Sequence, residues 1–126
     1  MNNSAYIRKD NKKNIYRFML DGKAYTKQQV SIGTGLSVAT CNTLLNDMTN
    51  QGIVCGTSKQ IGEVGRSSVL YQINDNHEYY LAIHFYIVKK KRWVEYIIFS
   101  AIGNIVSKNT REYEFVDYTL IESIVD

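Results

Sequence analysis

Ala39, Asn42, Thr43 and Asn46 recur at three- and four-residue spacing between Ser37 and Asn50, so on a helix they share one side. An Asn amide can pair with the edge of adenine, and an Ala or Thr methyl can pack on the thymine methyl. The four together suit the edges of base pairs in a DNA major groove. Ser37 and Thr40 stand at the start of the same segment. Their hydroxyls can cap the helix, donate to a phosphate, or do both, helped by the positive end of the helix. Cations flank the segment: Lys12, Lys13 and Lys27 before it, Lys59 and Arg66 after it. The lysines are expected to contact phosphates. Arg66, on a Gly-rich stretch, is expected to enter a narrow minor groove, where the negative potential is strongest.

These residues need a particular scaffold. Ile15, Phe18 and Met19 have helical spacing, which predicts a helix from about Asn11 to Leu20 after a loose start over residues 1–10; Asp21-Gly22 ends it. Thr26-Lys27-Gln28-Gln29 has the form of a capping box and opens a short helix to about Gly33. Thr34-Gly35-Leu36-Ser37 follows: Gly35 allows a tight turn, Leu36 enters the core, and Ser37 caps a third helix that runs to Asn50 and stops at Gly52. Cys41, Leu44, Leu45 and Met48 make its apolar face. Ile53-Val54-Cys55 predicts a short strand, Gly56 to Arg66 a loop, and Ser67 to Ile73 a returning strand. Three helices and a hairpin in this order predict a winged helix-turn-helix over residues 1–74, with Asn74-Asp75-Asn76 at its boundary.

Residues 75–126 differ in character. Tyr80 to Val88 and Trp93 to Phe99 are apolar runs around a charged tip, Lys89 to Arg92. A turn at Ala101 to Asn104 and a strand from Ile105 to Phe115 complete a three-stranded antiparallel meander. Thr119-Leu120-Ile121-Glu122 is a second capping box, opening a helix just before Asp126. The whole chain is therefore α+β. The aromatic residues Tyr79, Tyr80, Phe85, Tyr86, Trp93, Tyr96 and Phe99 are expected in strand or interface packing rather than base stacking. A meander with one helical turn makes a poor core by itself, so the segment is expected to be the leading edge of a larger domain or to be completed by a partner chain.

Charge follows the same division. The 126 residues carry a formal net charge of +3. Residues 1–74 hold nine Lys/Arg against four Asp/Glu, while residues 75–126 hold six against eight. The first part is the one suited to a polyanion. No apolar run is long enough to span a membrane, and the start lacks the features of a secretory signal. Cys41 and Cys55 lie in apolar stretches, which predicts buried free thiols in a reducing cytoplasm. His77 and His84 have no Cys or carboxylate nearby at metal spacing, so both are expected to be structural. No Ser, Cys or carboxylate constellation marks a catalytic centre, and no cofactor or metal is expected.

From Arg8 to Ile73 the chain resembles the N-terminal domain of repressors of the ROK family, named for repressors, open reading frames and sugar kinases. The resemblance rests on five features in order: Asn11 and Asn14 leading into Ile15; Thr26-Lys27-Gln28-Gln29; Thr34-Gly35-Leu36-Ser37; Gly52-Ile53-Val54; and Gly65-Arg66 in the wing. The domain is also similar to MarR-like winged helices. In the ROK family an actin-like sugar-kinase fold follows, beginning with a meander and a helix, and Tyr79 to Asp126 looks like that beginning. Two departures stand out. Ala82 to Lys89 lacks the Asp and glycines whose backbone amides would cradle phosphate, which argues against kinase activity. Ser67 and Ser68 stand where the family wing often has a second Arg and a Pro. The family's sugar- and zinc-binding segments come later in the chain, so a sugar effector is implied only for a longer parent protein, of which this chain would be a part or a truncated relative.

The resulting expectation is a cytoplasmic, homodimeric regulator, a repressor, that binds double-stranded DNA in a sequence-specific way. It is not an enzyme and has no membrane partner. Lys27, Ser37, Ala39, Thr40, Asn42, Thr43, Asn46, Lys59 and Arg66 would form the DNA contact. The competing expectation is a winged-helix protein-interaction module without DNA binding. Such a module should show an acidic or apolar outer face on its third helix.

Overall fold

The inward stripe of the first helix changes chemistry along its length, and this lets the helix begin earlier than its apolar pattern predicts. In a computed structural model, which describes residues 3–60 and 67–125, α1 spans Asn3–Phe18. Ile15 and, just past the helix, Met19 are fully buried. One and two turns upstream the same stripe carries Lys12 and Arg8, and both pair with Asp47. Apolar periodicity is blind to that half of the helix, because charge rather than burial holds it. The expected loose start is therefore helix from Asn3 onward.

The connection to α2 (Lys27–Thr34) is ordered by local hydrogen bonds. Gly22 takes φ 76°, Asp21 Oδ1 accepts from the Lys23 amide at 2.9 Å, and its other oxygen accepts from the Tyr25 hydroxyl. The capping box forms as expected: Thr26 Oγ1 accepts from the Gln29 amide and Gln29 Oε1 accepts from the Thr26 amide. Gly33 lies under Phe18, and a Cβ there would fall 2.2 Å from the Phe18 ring.

The turn into α3 (Val38–Asn50) depends on Gly35. Its φ of 76° is left-handed, and its amide closes α2 by donating to the Ser31 carbonyl at 2.9 Å. An L-residue there pays the left-handed penalty of about 1–2 kcal/mol. Leu36 is half-buried. Cys41, Leu44, Leu45 and Met48 are buried with Ile15, Met19, Val30, Val54, Tyr71 and Ile73, giving one core shared by the helices and the hairpin.

That hairpin is longer than its apolar residues suggest. β1 covers Val54–Gln60 and β2 covers Ser67–Ile73, antiparallel, from Val54 opposite Ile73 to Gln60 opposite Ser67. Gly56 to Lys59 are thus strand rather than loop. Gly-Thr-Ser-Lys has no apolar alternation to signal it, and cross-strand pairing alone makes it a strand. A further bridge joins Tyr25 to Tyr71, with hydrogen bonds of 2.8 and 2.7 Å in the two directions. The segment between α1 and α2 thereby adds a third, single-residue rung. Cys41 is buried as expected, but Cys55 is exposed, because it points away from the helices on a hairpin with only one covered face.

The chain divides between His77 and Glu78 into two compact units. In the second, β3 (Tyr79–Val88), β4 (Lys91–Ser100) and β5 (Ile105–Glu112) form an antiparallel sheet in the order β3-β4-β5, followed by α4 (Tyr118–Val125). Lys91 and Arg92 belong to β4, and the tip is only Lys89-Lys90. Both tip residues have left-handed φ, 50° and 67°, the conformation of a two-residue hairpin turn that favours Asn-Gly. The opening of α4 also differs from expectation. Asp117, not Thr119, caps it, its Oδ1 accepting from the Leu120 amide at 2.9 Å. Tyr80 stacks on Phe99 with ring centroids 5.5 Å apart, and Phe85 meets Tyr113 edge-on. Burial is sparse: Val94, Ser100, Ala101 and Ile124 are the buried residues described in this unit. Leu81, Phe85, Ile87 and Ile98 on one face and Tyr80 and Val88 on the other are exposed.

The left-handed lysines generate a prediction. Replacing Lys89-Lys90 by Asn-Gly should stabilise the second unit by about 1 kcal/mol, since these residues adopt positive φ at lower cost. A thermal midpoint that is unchanged or lower in the double variant would contradict it.

Candidate nucleic-acid interface

The buried stripe on α3 dictates what the other side presents. With Cys41, Leu44, Leu45 and Met48 turned inward, the helical period places Ala39, Thr43, Asn46 and Asn50 outward, and all four are exposed. Thr43 Oγ1 donates to the Ala39 carbonyl at 3.1 Å, so its hydroxyl proton is used within the helix while the methyl and an acceptor oxygen remain. Asn46 presents its amide on this exposed face. Ser37 caps the helix: its hydroxyl oxygen accepts from the Thr40 amide at 3.1 Å, and its own proton goes to Thr40 Oγ1 at 2.9 Å.

Two residues lie on the flanks of this face rather than at its centre. Asn42 is half-buried, and its Oδ1 accepts from Lys27 Nζ at 3.4 Å. Its amide oxygen therefore faces the ammonium of α2 beside α3. On the opposite flank Asp47 receives Arg8 Nη2 at 3.0 Å and, more closely, Lys12 Nζ. The hydrogen bond from Lys12, then that from Arg8, hold the Asp47 carboxyl below its ordinary range. Lys12, expected at a phosphate, is instead engaged inside the protein. Sequence reasoning missed this cluster, although it left a trace: the inward stripe of Ile15 and Met19 extends upstream onto Lys12 and Arg8, and Asp47 is the one acid on α3.

The wing residues contribute less definition. Lys59 lies in β1. Arg66 lies outside the described residues, so its expected minor-groove role has no geometry here. His77 Nε2 shares a hydrogen bond with the Tyr16 hydroxyl at 3.0 Å, which pins the end of the unit to α1, and His84 stacks on Tyr86 at 5.2 Å. Burial pushes the Cys41 thiol up, the reverse of what a reactive cysteine requires. Among the described residues no group of three or more His, Cys, Asp or Glu is placed to hold a metal. Among them, too, no helix is long and apolar enough to cross a membrane.

A winged helix-turn-helix followed by a three-stranded meander and a helix is the fold class that these elements define. No family model matches the chain, and no curated protein sequence does. Among solved structures the chain is similar to one titled "Crystal structure of the ROK family transcriptional regulator, homolog of E.coli MLC protein", with a TM-score of 0.63 and 13% identity. The match covers 94% of this chain and 29% of that one, so the chain spans less than a third of that protein's length. At this identity the likeness is one of fold, and it extends through both units.

The Asp47 cluster carries a pH prediction. A carboxyl depressed in the folded state stabilises the fold at pH above its ordinary range, and that contribution is lost as pH falls through the folded value. Protection of α1 amides near Arg8 and Lys12 against hydrogen exchange should therefore fall on acidification below about pH 4. Asp47→Asn should show the reduced protection already at neutral pH. Equal protection in variant and wild type at neutral pH would mean that the ion pairs do not hold this half of the helix.

Proposed function

We propose that the chain is the DNA-binding part of a transcription regulator, a repressor, that reads double-stranded DNA with α3 in the major groove. The observation that carries this reading is the outer face of α3. It is exposed, neutral and polar, free of acids at its centre, capped by Ser37, and flanked by the ammonium of Lys27. An interaction module would be expected to present an acidic or apolar face there. The fold shared with a ROK family transcriptional regulator supports the same reading. In this reading Asn46, with Ala39 and Thr43, discriminates bases. Ser37 and Thr40 meet a phosphate at the helix start, Asn42 positions Lys27 for another, and Lys59 and Arg66 act from the wing. Two copies would bind half-sites about one helical turn apart, and the exposed apolar faces of the second unit's sheet offer a surface for pairing.

The test is a fluorescence-anisotropy titration with mixed-sequence duplex DNA at several salt concentrations. Affinity should fall linearly on a log–log plot as salt rises, because phosphate contacts release counterions. No binding at low salt by a folded protein would reject the reading in favour of an interaction module. Once an operator has been selected, Asn46→Ala should lose about 1–3 kcal/mol of discrimination at one base pair, whereas Asn42→Ala should weaken all sequences alike. Unchanged selectivity in Asn46→Ala would remove it from the base-reading set.

A further inference from the structure

Beside the outer face of α3 lies a groove of about 410 Å³, lined by Ser4, Ile7, Arg8 and Asn11 of α1 and by Ala39, Thr40, Thr43 and Leu44 of α3. Toward its end α1 is packed into the core through Ile15 and Met19, and nearer its start Arg8 and Lys12 pair with Asp47 of α3. Ala39 and Thr43 belong both to this groove and to the outward face of α3. A duplex strand that meets that face therefore also meets the first turns of α1.

The geometry points to this groove as a seat for the sugar–phosphate backbone at the edge of the major groove, with Arg8 as its phosphate contact and Asp47 as the residue that positions Arg8. This inference rests on the reading of α3 as a DNA-recognition helix. Arg8 gives one terminal nitrogen, Nη2, to Asp47, and its side chain is 49% exposed. A guanidinium has five N–H donors in a fixed fork, so the remaining donors can take a phosphate while Asp47 sets the direction of the fork. Ser4 and Asn11 add neutral hydrogen-bonding groups along the same wall. Asp47 accepts from two cations, so the cluster keeps a net positive charge, as a polyanion partner requires. A phosphate held here would lie on the Asp47 flank of α3, opposite the one held by Lys27, and the two would bracket the recognition helix.

The experiment is the salt titration of the full chain with mixed-sequence duplex, repeated for three variants. Arg8→Ala should weaken binding and reduce the steepness of the log K against log salt plot by about one unit, the loss of one phosphate contact. Arg17→Ala removes the same charge from the opposite side of α1 and should leave the slope unchanged. Asp47→Asn is the decisive arm. Removing an anion next to DNA would by charge alone tighten binding, whereas loss of Arg8 positioning should weaken it several-fold. Circular dichroism confirms that each variant is folded. An unchanged slope in Arg8→Ala, equal losses in Arg8→Ala and Arg17→Ala, or tighter binding by Asp47→Asn would overturn the inference while leaving the α3 reading intact. Absence of salt-dependent binding by the wild type would instead overturn the α3 reading, and this inference with it.

Discussion

The burial of one side of α3 governs the rest of the first unit. Cys41, Leu44, Leu45 and Met48 can leave water together only if the helix lies flat on α2 and the base of β1, and a helix so placed has its opposite side committed to solvent. The core leaves little latitude in rotation, since a turn of one residue would bury Asn42 and expose Leu44, leaving polar groups unpaired and apolar area wet. The exposed row of Ala39, Thr43, Asn46 and Asn50 is thus a consequence of the core, as is the position of Asn42 on the flank.

Charge finishes what packing begins. The first half of α1 has no buried apolar residue, and its place beside α3 is set by Arg8 and Lys12 meeting Asp47. Exposed ion pairs contribute little stability and weaken with salt, so this arm of the fold responds to pH and ionic strength in a way that the core does not. The same arm forms one wall of the groove beside α3, which links a weakly held element to the face proposed to meet DNA.

The second unit is organised differently. Its three strands are paired along their length, with a register shift between β4 and β5 at Ile98/Phe99, but both faces of the sheet carry exposed apolar side chains and few of its described residues are buried. Hairpin geometry and not burial sets its register, and the two left-handed lysines at the tip show the turn geometry prevailing over residue preference.

The order of elements, the capping box at Thr26, the turn at Gly35 and the inward face of α3 were determined by the sequence, because each follows from contacts within a few residues: helical period, a side chain bonding its own backbone, a residue without a Cβ. What only the tertiary structure decided joins residues far apart in the chain. The pairing of Arg8 and Lys12 with Asp47, the bridge of Tyr25 to Tyr71, the contact of Asn42 with Lys27, the strand character of Gly56 to Lys59 and the exposure of Cys55 leave little or no local pattern. Each depends on which segments the core brings side by side, and packing, not local periodicity, makes that choice.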